Sequence, residues 1–321
     1  MWSGAWDKGT MSETSEAIAI VGCGLIGESW AALFTAYGHD VTVWDPSPPA
    51  PASLLERVEK ARRHVREING QGGKPDGRIR VAATPEAAVA QASWIQENAP
   101  ESVPLKRELY GRIEKAAPPD AVIASSTSSL TWSELSRDMT RPLRLITAHP
   151  FNPPHIMPLV EIYARDGAVR ERAVRFYQAL GRTTVELKKD AVGHIANRLA
   201  SALWREAVSI VAEDIADLSS VDAALVNGPG LRWSVIGAHM AYHLGGGAGG
   251  MAHYLEHLGA SQERRWATLG APSLTPEVRA MLVEGMAVET AGRSVAELEA
   301  ARDEAIIRVM AARGQVGHGR G

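Results

Sequence analysis

Cysteine is almost absent: Cys23 stands alone in 321 residues. One thiol excludes an internal disulfide and any cysteine-built metal site, and it suits a reducing cytoplasm. Phenylalanine is scarce as well, three residues against nine tryptophans. No run approaches the roughly eighteen consecutive apolar residues of a membrane helix, so no membrane partner is expected. Nor is there a surplus of positive charge. The 34 basic side chains meet 37 acidic ones for a net charge of -3, which argues against a nucleic-acid partner. The first residues, through Ala17, have neither the apolar centre nor the small-residue cleavage pattern of a secretory leader. They read as a flexible tail over 1–15. With 45% hydrophobic residues the composition is that of a folded protein, and the length suggests two domains.

Short apolar runs rich in β-branched residues recur through the first half: Ala17–Val21, Val41–Trp44, Trp94-Ile95, Ala121–Ala124, Leu143–Ile146 and Leu159–Ile162. Helical patterns such as Glu28–Tyr37 and Leu54–Ile68 separate most of them. Buried runs alternating with helices predict a parallel sheet covered on both faces. The prolines at 46, 48, 49 and 51 predict a rigid, non-helical connection.

Beyond about residue 190 strand runs become rare. Helical patterns cover Ile195–Ala216, Ser219–Val226, Met251–Leu258, Pro276–Glu289 and Ser294–Ala312. Gly245–Gly250 reads as a flexible loop and 314–321 as a flexible tail. The expected fold is α/β: a Rossmann-type parallel-sheet domain over 16–190, then a mostly helical domain over 191–313.

Gly22-Cys23-Gly24-Leu25-Ile26-Gly27 spells G-x-G-x-x-G between a predicted strand and a predicted helix. The first glycine makes the turn, the second lets a pyrophosphate approach the backbone, and the third lets helix pack on strand. Asp45 ends the next strand, 18 residues after Gly27. Its carboxylate suits ribose hydroxyls and repels a 2′-phosphate, which selects NAD over NADP. Cys23 reads as a small space-filler.

Three segments lie at the ends of predicted strands, where an open parallel sheet binds ligands: Ser125–Leu130, His149–Pro154 and Leu159–Glu161. Oxidising a secondary alcohol requires a base for the hydroxyl proton, and a carboxylate behind a histidine fixes its tautomer. His149 and Glu161 fit those tasks. On spacing alone, a strand cap and a solvated strand-end charge explain the two residues equally well.

Over nearly its whole length, about 16 to 312, the chain resembles the 3-hydroxyacyl-CoA dehydrogenase superfamily. The motifs are the glycine loop, the serine stretch, His149-Pro150-Phe151-Asn152-Pro153 with Glu161, and Asn197-Arg198-Leu199. The resemblance implies that His149 is the base, oriented by Glu161. It places the substrate-contacting serine on Ser128 and the asparagine that holds the substrate oxygen on Asn197. Glu97 and Lys106 would lie near the nicotinamide ribose, and Ser126 is grouped with the cofactor-binding residues. Catalysis is expected in the cleft between the domains of a homodimer, on a small 3-hydroxy acid. Within the superfamily, Ile95–Glu101, Ser125–Ser128, Gly230–Trp233 and Ser294–Met310 look like the L-carnitine dehydrogenase branch, with lambda-crystallin as a cousin.

The chain departs from the family pattern at Val192-Gly193-His194, where Pro-Gly-Phe is common, and in its glycine-rich 245–250 run. Both bear on the substrate more than on the reaction. A trimethylammonium group is held best by aromatic faces. Trp233 is the residue singled out for that role among Trp204, Trp233, Tyr242 and Trp266, with Arg232 or Arg198 for a carboxylate. The basic stretch Lys60, Arg62, Arg63, Arg66, Lys74, Arg78 and Arg80 supports an acyl-CoA alternative, or is a solvated face. A gulonate-type substrate and a non-enzymatic NAD-binding role remain as further readings. The pairs His239/His243 and His253/His257 have helical metal-ligand spacing, but hydride transfer needs no metal and none is expected.

Overall fold

The computed structural model describes residues 16–47, 51–69 and 75–318, with side chains described as far as Arg313 apart from that of Pro51. The tail expected over 1–15 lies outside the described residues. The chain divides into two compact units, Met1–Ile195 and Ala196–Gly321.

The first unit is built on one eight-stranded sheet in the order β3-β2-β1-β4-β5-β6-β7-β8. Its strands are β1 Ile18–Val21, β2 Val41–Trp44, β3 Ile79–Val81, β4 Trp94–Glu97, β5 Val122–Ser125, β6 Leu145–Pro150, β7 Leu159–Tyr163 and β8 Thr183–Glu186. Among the described residues six α-helices accompany them: α1 Leu25–Ala36, α2 Pro51–Asn69, α3 Pro85–Val89, α4 Val103–Ala116, α5 Trp132–Leu135 and α6 Gly167–Ala179. Alternation along β1 sends Ile18 and Ile20 into one core with Trp30, Phe34 and Tyr177, and Ala19 and Val21 into another with Tyr110, Ile113 and Trp132. Apolar residues on both strand faces are what a doubly covered sheet requires.

The expectation of a parallel sheet needs one correction: β7 runs antiparallel to β6. Only eight residues, 151–158, separate the two strands. That is shorter than the dozen or more of a parallel crossover, so the chain turns back. Two strands escape the sequence pattern. β3 and β8 are edge strands rich in Arg, Thr and Glu, so they carry no apolar run. Pro51 opens α2 instead of breaking it, since a first-turn proline has no N–H to lose. Pro142–Arg144 forms a 3₁₀ turn, which delays β6 to Leu145.

The second unit has no strand among its described residues. It comprises α7 Ala196–Ala212, α8 Leu218–Leu225, α9 Leu231–Trp233, α10 Ala238–Gly245, α11 Gly250–Trp266, α12 Pro276–Thr290 and α13 Val295–His318. Two expectations fail here. Gly245–Gly250 is a tight corner, closing α10, making a 3₁₀ turn and opening α11 with Gly250 at φ +61°. The tail expected from 314 is helical through His318, the remainder lying outside the described residues. Two glycines at ~1 kcal/mol each and no proline do not stop an established helix.

Candidate active site

The phosphate cradle follows from the β1–α1 turn. Gly22 takes φ +91°, and a Cβ there would lie 2.8 Å from the Asn98 backbone carbon. A Cβ on Gly27 would lie 2.0 Å from the Gly22 carbonyl oxygen, so only glycine allows this close packing. Gly24 faces open space and no side chain caps α1 there. Leu25 and Ile26 form the first turn of α1, whose backbone N–H groups suit a pyrophosphate. Asp45 follows β2 and braces the cradle by accepting hydrogen bonds from Cys23 N and Ser47 N, each at 2.8 Å. These residues fit a dinucleotide. Burial, helped by the carboxylates of Glu28 and Asp45, pushes the Cys23 thiol up to about 12, which leaves it inert.

Glu97 and Lys106 are buried and pair with each other at 2.7 Å. Glu97 also accepts hydrogen bonds from Ala99 N, Tyr110 Oη and Ser125 Oγ. With both oxygens committed, Glu97 serves as a hub beneath the ends of β4 and β5. Together the two residues fix the shape of the loop after β4, holding the N–H and the carbonyl of Ala99. Ser126 lies in a second network, accepting from Trp30 Nε1 and Gln96 Nε2 and donating to Asn98.

Glu101 was not singled out from the sequence by itself, yet it organises the serine loop. Its carboxylate accepts hydrogen bonds from Thr127 Oγ1 at 2.9 Å, Ser128 Oγ at 2.8 Å, and the backbone N–H groups of Ser128 and Ser129. Burial opposes its ionisation. The bonds from Ser128 and Thr127 and the nearby Lys106 ammonium outweigh that and hold its carboxyl below the ordinary carboxylate value.

The β6–β7 reversal sets His149 directly opposite Glu161 in the ladder. Cross-strand partners lie within side-chain reach, and His149 Nδ1 meets Glu161 Oε2 at 2.8 Å, both residues buried. A carboxylate accepts, so Nδ1 carries the proton and the basic lone pair belongs to Nε2. Glu161 Oε1 accepts Ile195 N at 2.8 Å, so both oxygens hold donors. His194, noted from the sequence only as a departure, lies with its ring centroid 5.1 Å from that of His149, and its Nε2 meets the Thr127 carbonyl at 3.0 Å. These contacts bring the serine loop, His149 and Glu161 together. A buried base oriented by a carboxylate, next to a loop of hydroxyls, can take a proton from an alcohol.

In the second unit, Asn197 is in the first turn of α7, and Arg232 and Trp233 are in α9. Trp233 and Tyr242 are exposed, as are Trp204 and Trp266. His243 accepts the N–H of Met251, and His253 and His257 stack at 4.0 Å. No group of three or more potential metal ligands occurs among the described residues. Three arginines of the basic stretch have partners within the first unit. Arg62 bonds Thr35 and the Gly77 carbonyl, Arg66 pairs with Glu59 and Asp76, and Arg78 pairs with Asp40. Lys74 lies outside the described residues.

Comparison with known proteins agrees with this architecture. Residues 17–191 match the 3-hydroxyacyl-CoA dehydrogenase NAD binding domain and 193–271 its C-terminal domain. The chain is 41% identical to an L-carnitine dehydrogenase of Streptomyces coelicolor, over 96% of this chain and 98% of that protein. It is 40% identical to one from Pseudomonas aeruginosa, over 92% and 94%. Among solved structures, a 5-formyl-3-hydroxy-2-methylpyridine 4-carboxylic acid 5-dehydrogenase aligns with a TM-score of 0.79 at 24% identity, covering 95% of this chain and 99% of that one, which is a likeness of fold. Family and fold together define an NAD-dependent oxidoreductase acting on CH–OH donors. The chain belongs to the 3-hydroxyacyl-CoA dehydrogenase family.

Proposed function

We propose that this chain oxidises L-carnitine, or a similarly small 3-hydroxy acid, to the 3-keto acid. The observation that carries the reading is the buried His149–Glu161 pair at 2.8 Å, tied through His194 to the serine loop. His149 takes the hydroxyl proton on Nε2, and Glu161 fixes the ring and stabilises the imidazolium. Ser128, and Asn197 by its place in the family pattern, hold the substrate oxygen as it becomes a ketone. When bound, NAD supplies the acceptor for the hydride that leaves the 3-carbon. Gly22, Gly24, Gly27 and Asp45 would hold that cofactor.

The preference for carnitine is supported by relatives of that name along nearly the whole chain. It is supported too by exposed tryptophans on the second unit, which suit a trimethylammonium group. The acyl-CoA alternative is less favoured because Arg62 and Arg66, two of the arginines offered for it, already hold a backbone oxygen and carboxylates. Leu199, Trp266, Val283 and Val288, all largely exposed on the second unit, favour burial against a second copy, hence a homodimer. The lone buried cysteine fits a cytoplasmic enzyme. NADH formation with L-carnitine, L-gulonate and L-3-hydroxybutyryl-CoA tests the substrate: a fast rate with carnitine alone is expected. A fast rate with the CoA thioester alone would overturn the assignment.

A further inference from the structure

We propose that His194 is a positioning residue for the dehydrogenation, its neutral imidazole acting as a strut that holds the Thr127–Ser128 turn in place beside the ring of His149. The proposal rests on the reading above, that Ser128 and His149 act on one substrate oxygen.

Three observations carry it. First, Gly193 and His194 both take positive φ, +71° and +50°, which is uncommon for a residue with a side chain and ends the segment in a sharp turn. That turn aims the Ile195 N–H at Glu161 and places the His194 ring beside His149. Second, the Thr127 carbonyl can only accept, so His194 Nε2 carries the proton of the 3.0 Å bond between them. Third, Nδ1 is buried with no hydrogen-bond partner among the described residues. A proton there would have no acceptor, so the ring is held neutral.

The groups that face His194 electrostatically are His149 from β6, Glu161 from β7 and Asp190 from the segment before it. Burial pushes the His194 imidazole below its ordinary value. The Thr127 carbonyl and the two carboxylates oppose this, and His149 adds to it. A neutral strut leaves His149 without a second cation as it takes the substrate proton.

The test compares His194→Phe, which keeps the ring but removes the donor, with His194→Gln, whose amide N–H replaces Nε2–H without the ring. If the hydrogen bond positions Ser128, His194→Phe lowers kcat about tenfold, the rate equivalent of roughly one hydrogen bond of positioning lost in the transition state. KM for NAD should not move, and His194→Gln should retain more kcat than His194→Phe. The reverse order would mean that the ring only fills space, and equal losses that follow Tm would mean a role in stability alone; either overturns the proposal. Nitrogen-15 shifts of the histidines supply a readout without turnover. A neutral Nε2–H tautomer is expected for His194 near neutral pH, and a cation or an Nδ1–H tautomer overturns the strut. Full activity of His149→Ala would instead overturn the assignment of the base, leaving the His194 tautomer to be judged by its own shifts.

Discussion

Replacing Glu161 by glutamine changes one oxygen to NH₂ and almost nothing in size, so its effect isolates the hydrogen-bond logic of the site. Both carboxylate oxygens accept, Oε2 from His149 Nδ1 and Oε1 from Ile195 N, each at 2.8 Å. An amide supplies one acceptor for these two donors. If its NH₂ faced Ile195, two donors would oppose each other in a buried place at a cost of about 1–3 kcal/mol, and a backbone N–H cannot adapt. If it faces His149, the imidazole escapes the conflict by moving its proton to Nε2. The second arrangement wins, and it removes the lone pair that takes the substrate proton. The expected loss is that of a positioned general base, about 10²–10⁴-fold in kcat, or roughly 2.7–5.4 kcal/mol of barrier. NADH appearance under saturating carnitine measures it. NAD affinity, read by calorimetry, should stay near wild type because no cradle residue is touched. A kcat within about threefold of wild type, with the fold intact, would refute this account of the base.

Further outcomes follow from the same geometry. Gly27→Ala sets a methyl group 2.0 Å from the Gly22 carbonyl oxygen, so Tm should fall and NAD affinity should drop roughly tenfold or more, both measurable by ligand-shift melting. With its thiol pushed up to about 12, Cys23 has a thiolate fraction of only ~10⁻⁴ near pH 8, and the folded protein should resist iodoacetamide until denatured, as mass spectrometry would show. Trp233→Ala should raise KM for carnitine by about 2- to 30-fold while leaving KM for unsubstituted 3-hydroxybutyrate unchanged, if the indole holds the ammonium group. Because the folded value of His194 is depressed, the native state binds fewer protons than the unfolded chain once the pH falls below about 6.5. That stability is complete above about pH 6.5 and lost below it, so His194→Phe should lose less Tm on acidification than wild type does.

The parts of the fold legible in the sequence are those with a one-dimensional signature. β1 is a continuous apolar run and β2 and β5 are mostly apolar and β-branched, and the glycine loop stands between a strand and a helix as its chemistry demands. β3 and β8 are lost because an edge strand has one open side and needs no apolar run. The glycine run at 245–250 misleads because composition reports backbone freedom, whereas the packing of His243 and Tyr254 beside it spends that freedom on a corner. In the site, His149 and Glu161 can be suspected from their residue types but not paired, since their partnership depends on the direction of β7. Glu101 and His194 are harder still. Their importance lies in loop oxygens and N–H groups supplied by residues 26 to 67 positions away.

The antiparallel strand explains why the site is where it is. Parallel neighbours place the end of β4 level with the end of β5, and Glu97 and Ser125 are in register there. Such pairs gather loops, and the networks under Glu97 and Glu101 hold those loops in shape. A parallel β7 would need a long crossover before Glu161. The reversal after Pro150 brings Glu161 back beside its ladder partner His149, twelve residues on, and buries the pair. The buried acid then meets its second donor, Ile195 N, at the end of the same unit. The orientation of the base is thus fixed at three points, β6, β7 and the 193–195 turn, all inside one folded unit. A substitution that loosens that turn should therefore act on kcat before it acts on NAD binding.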